Sequence, residues 1–503
     1  MHDSKRLRWY CAVALLVSPV VAFAQGASTE LARQHLESGT QFYEQGRYNQ
    51  ALNDFQIIVT SMADTEYADD ALLRIGRYYL DIEEDFEQAK TNLDALLQRY
   101  PTGNAAPGAY YYLGEVVFRS DRTGRAIDDA LANYQRVFIY ANNPWIPAAL
   151  YSTGLALERQ GKFQEAVDAY YQVIVDHRRS EWSAGALLGV GRASVRQGQP
   201  IEAMAQFQEV RNVYPESGEA DAALDWLTLL FRFYGAPLLG ESVSFRRDDG
   251  FTAGVSDELK DVKALRISES GIHVLERGRK RVVTFDWKGQ VAGTRAAADG
   301  YGLAVDPRGQ VVIANEKGLV LDGTPRSFMV QGKDGPEPLE KIRWAVRDRL
   351  GEVYVYDEKQ KKILRFDESG RELGVFPDAT PREVLAMEVD QRGNIVLLDK
   401  KDRDVMVYSP EGRVLARIPT KRGGQLNFKE ASDIALDPAG YLYILDEDQA
   451  QIAVFDAAYQ HLTTLTTQSL GSGALQEPVT LDVDASGDLY VYDKKSKAIV
   501  RLQ

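Results

Sequence analysis

Two different internal repeats share this chain, and the change between them constrains its fold more than any other feature. From about residue 31 to residue 234, glycine, alanine and bulky apolar residues recur with helical spacing about every 37–40 residues. From about residue 261 to the end, short alternating apolar runs recur about every 38–47 residues. Repeats of this length build solenoids and propellers, in which neighbouring units stack and form extended binding surfaces. The sequence therefore predicts a scaffold before it predicts an enzyme.

The first 24 residues have the composition of a targeting signal. Cys11–Phe23 is an apolar run and Ala22-Phe23-Ala24 offers a small-x-small cleavage pattern, after a basic start made by Lys5, Arg6 and Arg8. The apolar run is too short to span a bilayer comfortably. We expect a signal peptide over residues 1–24, cleaved near Ala24, and a periplasmic or secreted bacterial protein that does not span the membrane.

Charge and cysteine content narrow the partners further. The formal net charge is −14 at pH 7, and Cys11, the single cysteine, lies in the predicted signal peptide. The mature chain is therefore expected to have no disulfide and no reactive thiol. Its acidity argues against nucleic acid as a partner.

The helical part contains five copies of one pattern. In each copy a glycine precedes a small residue, and a bulky residue follows the small one by four positions, where it fills the next layer of the packing. The glycines are Gly39, Gly76, Gly114, Gly154 and Gly191, and the bulky residues are Phe55, Leu93, Tyr134, Tyr170 and Phe207. The third copy departs from the pattern by an insertion around Asp121–Asp129.

The clearest copy, Tyr151–Ile174, reads YSTGLALERQGKFQEAVDAYYQVI. It resembles the tetratricopeptide repeat, in the elongated form found in bacterial envelope proteins. The resemblance implies an α-solenoid over residues 25–235, closed by a final helix over Ala220–Tyr234. It also implies that the first helix of each repeat lines a concave, partner-binding groove. The candidate groove residues are Tyr43, Arg77, Tyr111, Glu115, Phe118, Tyr151, Glu158 and Arg192. A packing role between helices remains open for the tyrosines.

The second half repeats the unit LAVDPRGQVVIAN, with variants such as ALDPAGYLYILD and DVDASGDLYVYD. Five units have a glycine at a tight turn between two alternating runs, and an Asp or Asn six residues later that is expected to cap the next turn. An earlier, more degenerate copy precedes them. Six such units resemble the NHL-type β-propeller over residues 261–503. The predicted fold class is multidomain α + β, an α-solenoid of helix pairs followed by a six-bladed antiparallel β-propeller.

The last unit ends after only three strands, which would leave an unpaired sheet edge. The alternating segment Ser242–Arg247 lies in the stretch 236–260 that joins the two repeat arrays. We expect this segment to supply the missing outer strand, and thereby to tie the helical array to the propeller.

Basic residues recur at the hairpin between the second and third strands of four units. They are Arg279, Lys280, Arg281, Lys359, Lys361, Lys362, Lys400, Lys401, Arg403, Lys494, Lys495 and Lys497. Equivalent hairpins of a propeller lie on one face, so the sequence predicts a continuous positive patch. Solvated turns that tolerate lysine are the alternative explanation.

Catalytic motifs are sparse. The four histidines of the mature chain, His35, His177, His273 and His461, show no metal-ligand spacing, and no P-loop, dinucleotide fingerprint or nucleophile elbow occurs in a suitable context. We therefore expect no cofactor, no metal site and no enzymatic activity. A resemblance to calcium-dependent lactonases, which are also six-bladed propellers, makes a hydrolase the least favoured alternative.

The function predicted from the sequence is a protein-protein interaction scaffold of the cell envelope. Envelope or secreted proteins would bind in the helical groove and on the propeller face. The alternative is a propeller that recognises an anionic glycan or a lipid headgroup.

Overall fold

The computed structural model describes residues 26–503, apart from residues 121–123, 252, 255–258, 307–308, 317, 322, 333–334, 349–350, 368, 377–380, 391, 422–425 and 472. The predicted signal peptide lies outside the described residues. The chain divides into two compact units. The first contains the chain up to Gln160 together with Asp168–Trp182, and the second contains Gly161–Val167 and Ser183–Gln503.

Eleven long helices precede the strands in the described part of the chain. They are α1 (residues 26–44), α2 (Tyr48–Ser61), α3 (Ala68–Asp81), α4 (Phe86–Arg99), α5 (Ala106–Ser120), α6 (Gly124–Val137), α7 (Ile146–Arg159), α8 (Phe163–Asp176), α9 (Ser183–Arg196), α10 (Pro200–Val213) and α11 (Gly218–Leu230). A π-helical turn, Phe231–Gly235, and a short helix α12 (Ala236–Leu238) follow. The described part of the expected insertion, residues 124–129, forms the first turns of α6.

Close packing of an aromatic or leucine side chain on a glycine explains the helical repeat. A Cβ atom placed on Gly154 would lie 2.3 Å from Tyr170, and one on Gly191 would lie 2.4 Å from Phe207. The same relation joins Gly39 to Phe55, Gly76 to Leu93 and Gly114 to Tyr134. Each bulky residue is fully buried. In all five copies the bulky residue therefore packs directly on the glycine of the same copy.

Replacing Gly154 with Ala is expected to destabilise the first unit by about 1–3 kcal/mol, the usual cost of overpacking a dense core. The gain in helix propensity, about 1 kcal/mol, is too small to offset a contact of 2.3 Å with the Tyr170 ring. Urea-induced unfolding followed by circular dichroism would measure the change. Gly218→Ala is the matched control, because no atom lies within 4 Å of its added Cβ. Equal stability of the two variants would contradict the packing account.

The strands form six antiparallel blades, each with its strands in sequence order. Blade 1 contains β1 (Val262–Ser268), β2 (Gly271–Glu276), β3 (Arg281–Phe285) and β4 (Val291–Ala296). Blade 2 contains β5 (Gly300–Val305), β6 (Val311–Asn315), β7 (Gly318–Leu321) and β8 (Thr324–Arg326). An additional hairpin, β9 (Met329–Gly332) and β10 (Gly335–Pro338), precedes blade 3.

The remaining blades repeat the same order. Blade 3 contains β11 (Ile342–Arg347), β12 (Val353–Asp357), β13 (Lys362–Phe366) and β14 (Glu372–Val375). Blade 4 contains β15 (Val384–Val389), β16 (Ile395–Asp399), β17 (Asp404–Tyr408) and β18 (Val414–Pro419). Blade 5 contains β19 (Ala431–Leu436), β20 (Leu442–Asp446), β21 (Gln451–Phe455) and β22 (His461–Leu465). Blade 6 contains β23 (Pro478–Val483), β24 (Leu489–Asp493) and β25 (Ala498–Leu502).

The turn between the first and second strands carries a repeated side-chain latch. The hydroxyl of Tyr354 donates to Asp348 over 3.1 Å, and the hydroxyl of Tyr443 donates to Asp437 over 3.0 Å. In blade 1 the equivalent contact joins His273 Nε2 to Ser268 Oγ over 2.7 Å. This histidine and serine therefore occupy a structural position of the repeat.

The Asp that ends the second strand of blades 3 to 6 caps the following turn, as predicted. In blade 4, one oxygen of Asp399 accepts from the backbone N–H of Lys401 over 2.8 Å and the other accepts from the backbone N–H of Arg382. Asp493 accepts in the same way from Gln476 and Ser496. Each such carboxylate thus joins its own hairpin to the loop that enters the blade.

The exposed edge of blade 6 is covered by the segment that precedes the propeller. Arg246 and Gln503 exchange two backbone hydrogen bonds of 2.8 Å, and the N–H of Asp248 donates to Arg501 over 2.9 Å. Further along β25, the N–H of Ile499 donates to Ala253 over 3.0 Å. The pairing therefore lies over residues 246–253, later than the Ser242–Arg247 strand expected from the sequence. Instead of a regular fourth strand, the segment forms an isolated β-bridge, between Arg247 and Leu502.

Turns on the two faces of the propeller differ in what they contact. Because successive strands run antiparallel, the turns after first and third strands form one face, here called the turn face, and the hairpins after second strands form the opposite, hairpin face. Within the second unit, helix α9 lies against the turn face. The guanidinium of Arg196 donates to the carbonyls of Pro438 and Ala439, each over 2.7 Å.

The π-helical turn makes the second contact with the turn face. Arg232 donates to the carbonyl of Gly487 and pairs with Asp488 over 3.2 Å, and its side chain is largely buried. The Phe233 ring packs edge-on against Tyr441, with ring centroids 5.8 Å apart. The last helices of the solenoid are thus part of the same folded unit as the propeller.

Candidate functional site

A polar network lies on α3 and α5, among the residues that the sequence analysis assigned to the partner groove. Asp81 accepts from Arg77 over 3.1 Å and from Arg119 over 3.0 Å. Arg119 also lies 3.5 Å from Glu115. The Arg77 guanidinium lies 5.6 Å from the centre of the Tyr43 ring, within cation–π range. The two arginine side chains remain 39% and 43% exposed, so this network is accessible to a partner.

Three predicted groove residues are buried, which corrects the expectation that they face a partner. Tyr111 is 6% exposed, Glu115 is 8% exposed and Phe118 is 9% exposed. Tyr111 stacks on Trp145 with ring centroids 5.4 Å apart, and burial raises the pKa of its hydroxyl well above the ordinary range. These three side chains are buried because α5 packs against α4, α6 and α7, whose side chains cover it.

The buried Glu115 has a structural partner set. It accepts from the Tyr134 hydroxyl over 2.7 Å and from the Ser152 hydroxyl over 2.8 Å. A buried carboxylate with several donors fixes the positions of the groups around it. Phe118 lies under the Arg159 guanidinium, 3.8 Å from the centre of the ring. Neither side chain is available to a partner.

The remaining predicted groove residues are half-buried. Tyr151 on α7 lies 5.3 Å from Trp182 between ring centroids, and Glu158 accepts from the Tyr170 hydroxyl over 2.6 Å. Arg192 lies on α9, in the second unit. The sequence interpretation missed Asp81, Arg119 and Trp182. Asp81 follows Arg77 by four residues on α3 and Arg119 follows Glu115 by four residues on α5, and this helical spacing was a usable signal. Trp182 lies in the turn before α9 and gave no such signal.

The hairpin face of the propeller carries all twelve predicted basic residues. They lie at or beside the hairpin that follows the second strand in blades 1, 3, 4 and 6. All of them except Arg281 are exposed. Lys280, Lys361, Arg403 and Lys497 occupy the same left-handed backbone position, with φ of 53–55°. The hairpins of these four blades therefore share one backbone geometry, which presents a basic side chain to solvent at the same place in each.

The expected continuous positive patch is not what this face presents. Six of the twelve basic residues have carboxylate partners: Arg279 and Arg281 with Glu276, Lys280 with Asp299, Lys359 with Glu340, Lys400 with Glu430, and Lys401 with Glu383. Blade 5 adds Glu430, Glu447 and Asp448, whose oxygens lie within 4.8 Å of one another. The face is therefore mixed in charge, because residues of neighbouring loops neutralise much of the lysine and arginine set.

A charged cluster that the sequence interpretation missed closes the central channel. Arg266, on the innermost strand of blade 1, is 1% exposed. Its Nε lies 2.5 Å from Glu388 of blade 4, and its terminal nitrogens donate to Asp433 of blade 5 over 3.2 and 3.3 Å. Asp433 also accepts from the N–H of Leu481 over 3.1 Å. One guanidinium thus joins inner strands from opposite sides of the propeller.

A cavity of about 300 Å³ lies beside this cluster, where the inner strands reach the turn face. Its lining includes Arg266, Glu388 and Asp482, together with Trp287, Glu269 and the first residues of several turns. Burial raises the pKa of Glu388 to about 7 and that of Asp482 to about 8, the Arg266 charge opposing both shifts. The sequence signal was a polar residue inside otherwise apolar inner strands, as in LRIS, MEVD and LDVD.

Comparison with known protein families supports the helical repeat class. Family models of the tetratricopeptide repeat match residues 122–181 and residues 70–103. The N-terminal helical region thus contains tetratricopeptide-type helix pairs, and a six-bladed antiparallel propeller follows them. Both parts of the predicted fold class are confirmed. A search of curated proteins gave no match.

Matches to solved structures are low in both sequence identity and TM-score. A catalytically inactive virginiamycin B lyase from Staphylococcus aureus is 13% identical, with 48% of this chain and 80% of that chain covered and a TM-score of 0.35. Regucalcin from Agrobacterium tumefaciens, a calcium-binding protein, is 10% identical over 51% and 94% of the chains, with a TM-score of 0.35. MamA is 21% identical over 37% and 93%, with a TM-score of 0.29. These similarities carry no activity over to this chain.

Among the described residues, none of the helices combines the length and the apolar composition that crossing a bilayer requires.

Proposed function

We propose that this chain is an exported protein-interaction scaffold of the bacterial cell envelope, which binds partner proteins in the helical groove and on the hairpin face of the propeller. The observation that carries the proposal is the packing of α9 and the π-helical turn on the turn face, through Arg196 and Arg232. The last helices and the propeller are thereby fixed in one unit, while the hairpin face remains open to partners.

The accessible groove residues support protein binding. Tyr43, Arg77 and Arg119 combine a half-buried aromatic ring with two guanidinium groups that share the Asp81 carboxylate. Aromatic and arginine side chains contribute much of the binding free energy at protein interfaces. The pair of arginines favours an acidic or carboxylate-bearing partner segment.

The proposal assigns no catalysis to the chain. Near the channel, His273 Nε2 contacts two serine hydroxyls, Ser268 Oγ over 2.7 Å and Ser270 Oγ over 3.3 Å. The second ring nitrogen of His273 contacts Thr284 Oγ1 over 3.0 Å instead of a carboxylate, and burial lowers the pKa of the imidazole to about 4. An imidazole with this pKa is a poor general base at neutral pH. Its position as a blade latch supports a structural role.

Affinity capture from an envelope extract tests the scaffold. A variant with Arg77→Glu and Tyr43→Ala is expected to lose a set of proteins that the wild type retains, because both substitutions remove partly exposed side chains of the predicted groove. Lys90→Glu, an exposed charge reversal on α4, is the control and should retain the set. If the Arg77→Glu, Tyr43→Ala double variant captured the same proteins as the Lys90→Glu control, binding in this groove would be contradicted.

A second candidate function is favoured by the lysines that have no carboxylate partner among the described residues, namely Lys361, Lys362, Lys494, Lys495 and Lys497. These exposed residues would recognise phosphate or carboxylate groups of an anionic lipid or glycan. Single exposed charges are screened within about 8–10 Å at physiological salt, so such binding requires several of them together.

Reversal of Lys361, Lys362, Lys494 and Lys495 to Glu tests this second candidate. The wild type is expected to be retained on anionic liposomes at low salt, and the variant is expected to lose that retention. A control variant reverses four other exposed residues, Arg47, Lys90, Lys162 and Lys288, and should still bind. Absence of salt-dependent retention of the wild type would exclude lipid recognition by this face.

A further inference from the structure

The last long helix of the solenoid, α11, leaves open the face that a second helix covers in the preceding pair. We propose that this face binds an amphipathic helix of a partner protein, which completes a sixth helix pair. The site lies within the second unit, apart from the groove of the first unit and from the hairpin face. The inference deepens the proposed scaffold function and rests on it, because it names the class of partner.

The repeat register identifies the open face. Thr228 on α11 follows Gly191 on α9 by the same number of residues as Gly191 follows Gly154. On α9 this position is covered by α10, since a Cβ atom on Gly191 would lie 2.4 Å from the Phe207 ring. On α11 the equivalent Thr228 is exposed. The described part of the chain therefore places no second helix over this position of α11.

The residues on either side of Thr228 show the same contrast. Leu187 and Ser194 of α9 are 3% and 7% exposed, whereas their equivalents Leu224 and Phe231 are 43% and 44% exposed. After α11 the chain forms the π-helical turn and then α12, a helix of three residues. Such a short helix cannot cover the two turns from Leu224 to Phe231.

A groove runs along this open face. It has a volume of about 550 Å³ and is lined by α10, α11, the π-helical turn and residues 241–244. Met204 of α10 and Leu227 of α11 line it beside Leu224 and Phe231, so much of its wall is apolar. A contiguous apolar surface with a polar margin is typical of a protein-binding site. The groove accommodates the bulky side chains of one helix face.

Helix α10 shows the pattern that the occupant is expected to have. Its residues Ala203, Phe207 and Val210 are fully buried, with the spacing of an amphipathic helix. A second copy of this chain has no such helix to give among its described residues. Each second helix, from α2 to α10, already covers the glycine of its own pair. The occupant is therefore assigned to another protein.

Two charged residues define the polar margin of the groove. Arg211 of α10 and Glu241 both line it, and neither has an ion-pair partner among the described residues. Arg232, which also lines the groove, is already paired with Asp488. Charges across an interface are arranged to be complementary. The partner helix is therefore expected to carry a carboxylate near Arg211 and a basic side chain near Glu241.

Fluorescence anisotropy with the full chain tests the proposal. The probe is a labelled peptide with the sequence of α10, Pro200–Val213, held helical by a hydrocarbon link, because an isolated helix of this length is marginal in water. Saturable binding to the wild type is expected. Replacing Phe207 of the peptide with Ala is expected to weaken binding about tenfold, since the aromatic ring is the main anchor. An unlinked analogue with proline in place of Ala205 should bind as weakly, because it cannot form the helix.

The variant Leu224→Glu with Thr228→Glu is expected to bind the probe about tenfold more weakly or not at all, because it places charges on the apolar face. Both side chains are exposed, so the variant should fold, as unchanged circular dichroism would show. Leu415→Glu replaces an exposed leucine of β18 and is the matched control. Unchanged binding by the double variant would overturn the proposal, because the peptide would then have displaced α10 or bound elsewhere. Equal binding of the proline analogue would overturn it as well.

Two further peptides test the charge assignment, one with glutamate and one with lysine at the exposed positions of the probe. Arg211→Glu is expected to shift the ratio of their affinities about fivefold toward the lysine peptide at low salt. An unchanged ratio would contradict the assignment of a carboxylate to Arg211. Absence of probe binding to the wild type would overturn this site and leave capture by the groove of the first unit unaffected. Loss of that capture with probe binding retained would contradict the groove alone.

Discussion

Replacement of Arg266 with Met is expected to destabilise the second unit by about 3–5 kcal/mol, the usual effect of removing one partner from a buried ion pair. The substitution leaves Asp433 and Glu388 in the channel without their shared guanidinium. Differential scanning calorimetry or urea-induced unfolding would measure the change. Adding Asp433→Asn should recover part of the loss, because it removes one uncompensated carboxylate.

The loss caused by Arg266→Met should depend on pH in a defined direction. Arg266 lowers the pKa of Glu388, which burial nevertheless holds near 7, above its ordinary value of 4.5. Without Arg266 the folded-state pKa rises further. A carboxyl group with a raised folded-state pKa destabilises the fold as pH rises above its unfolded value. The variant should therefore be closer to the wild type at pH 5 than at pH 8. A loss that is independent of pH would contradict the role assigned to Glu388.

Replacement of Tyr111 with Ala is expected to destabilise the first unit by about 3–5 kcal/mol, as for other buried aromatic residues. The side chain is 6% exposed and stacks on Trp145, so its removal leaves a cavity between α5 and α7. The sequence analysis placed Tyr111 among the groove candidates, and its buried position replaces that expectation. Urea-induced unfolding of the full chain would measure the effect.

Tyr43→Ala is the matched control for Tyr111→Ala. Tyr43 is half-buried beside Arg77 and Tyr48 and packs only on the margin of the hydrophobic cluster of α1 to α3, so its removal should cost clearly less than that of Tyr111. A small loss for Tyr111 together with a large one for Tyr43 would reverse the assignment of the two residues to core and groove.

The repeat architecture was predictable because its determinants are local and recur. A glycine that leaves room for a bulky ring, as Gly154 does for Tyr170, recurs along the helical part, and an Asp that caps its own hairpin, as Asp493 does, recurs along the propeller. The spacing between successive copies of these residues is therefore visible in the sequence. Burial within the groove was less predictable. Tyr111 and Tyr151 occupy similar repeat positions, yet the first meets Trp145 and is enclosed, whereas the second stays half-exposed. The difference depends on residues contributed by other helices.

The channel cluster was not predictable from local patterns. Arg266, Glu388 and Asp433 belong to blades 1, 4 and 5, and only closure of the propeller brings them together. The same limit applies to the hairpin face, where Glu340 and Glu383, which neutralise the lysines, lie in loops that enter the blades. A repeated pattern of basic residues in the sequence predicts where those residues lie. It does not predict which acidic residues the fold brings into contact with them.

Site-specific photo-crosslinking in the producing cells tests the scaffold role most directly. A photoreactive phenylalanine analogue would replace Tyr43 in the groove and, separately, Lys362 on the hairpin face, with exposed Val175 of α8 as the control position. The account predicts discrete protein adducts from the first two positions, with different partners, and none from the third. Absence of protein adducts at both Tyr43 and Lys362 would contradict an interaction scaffold.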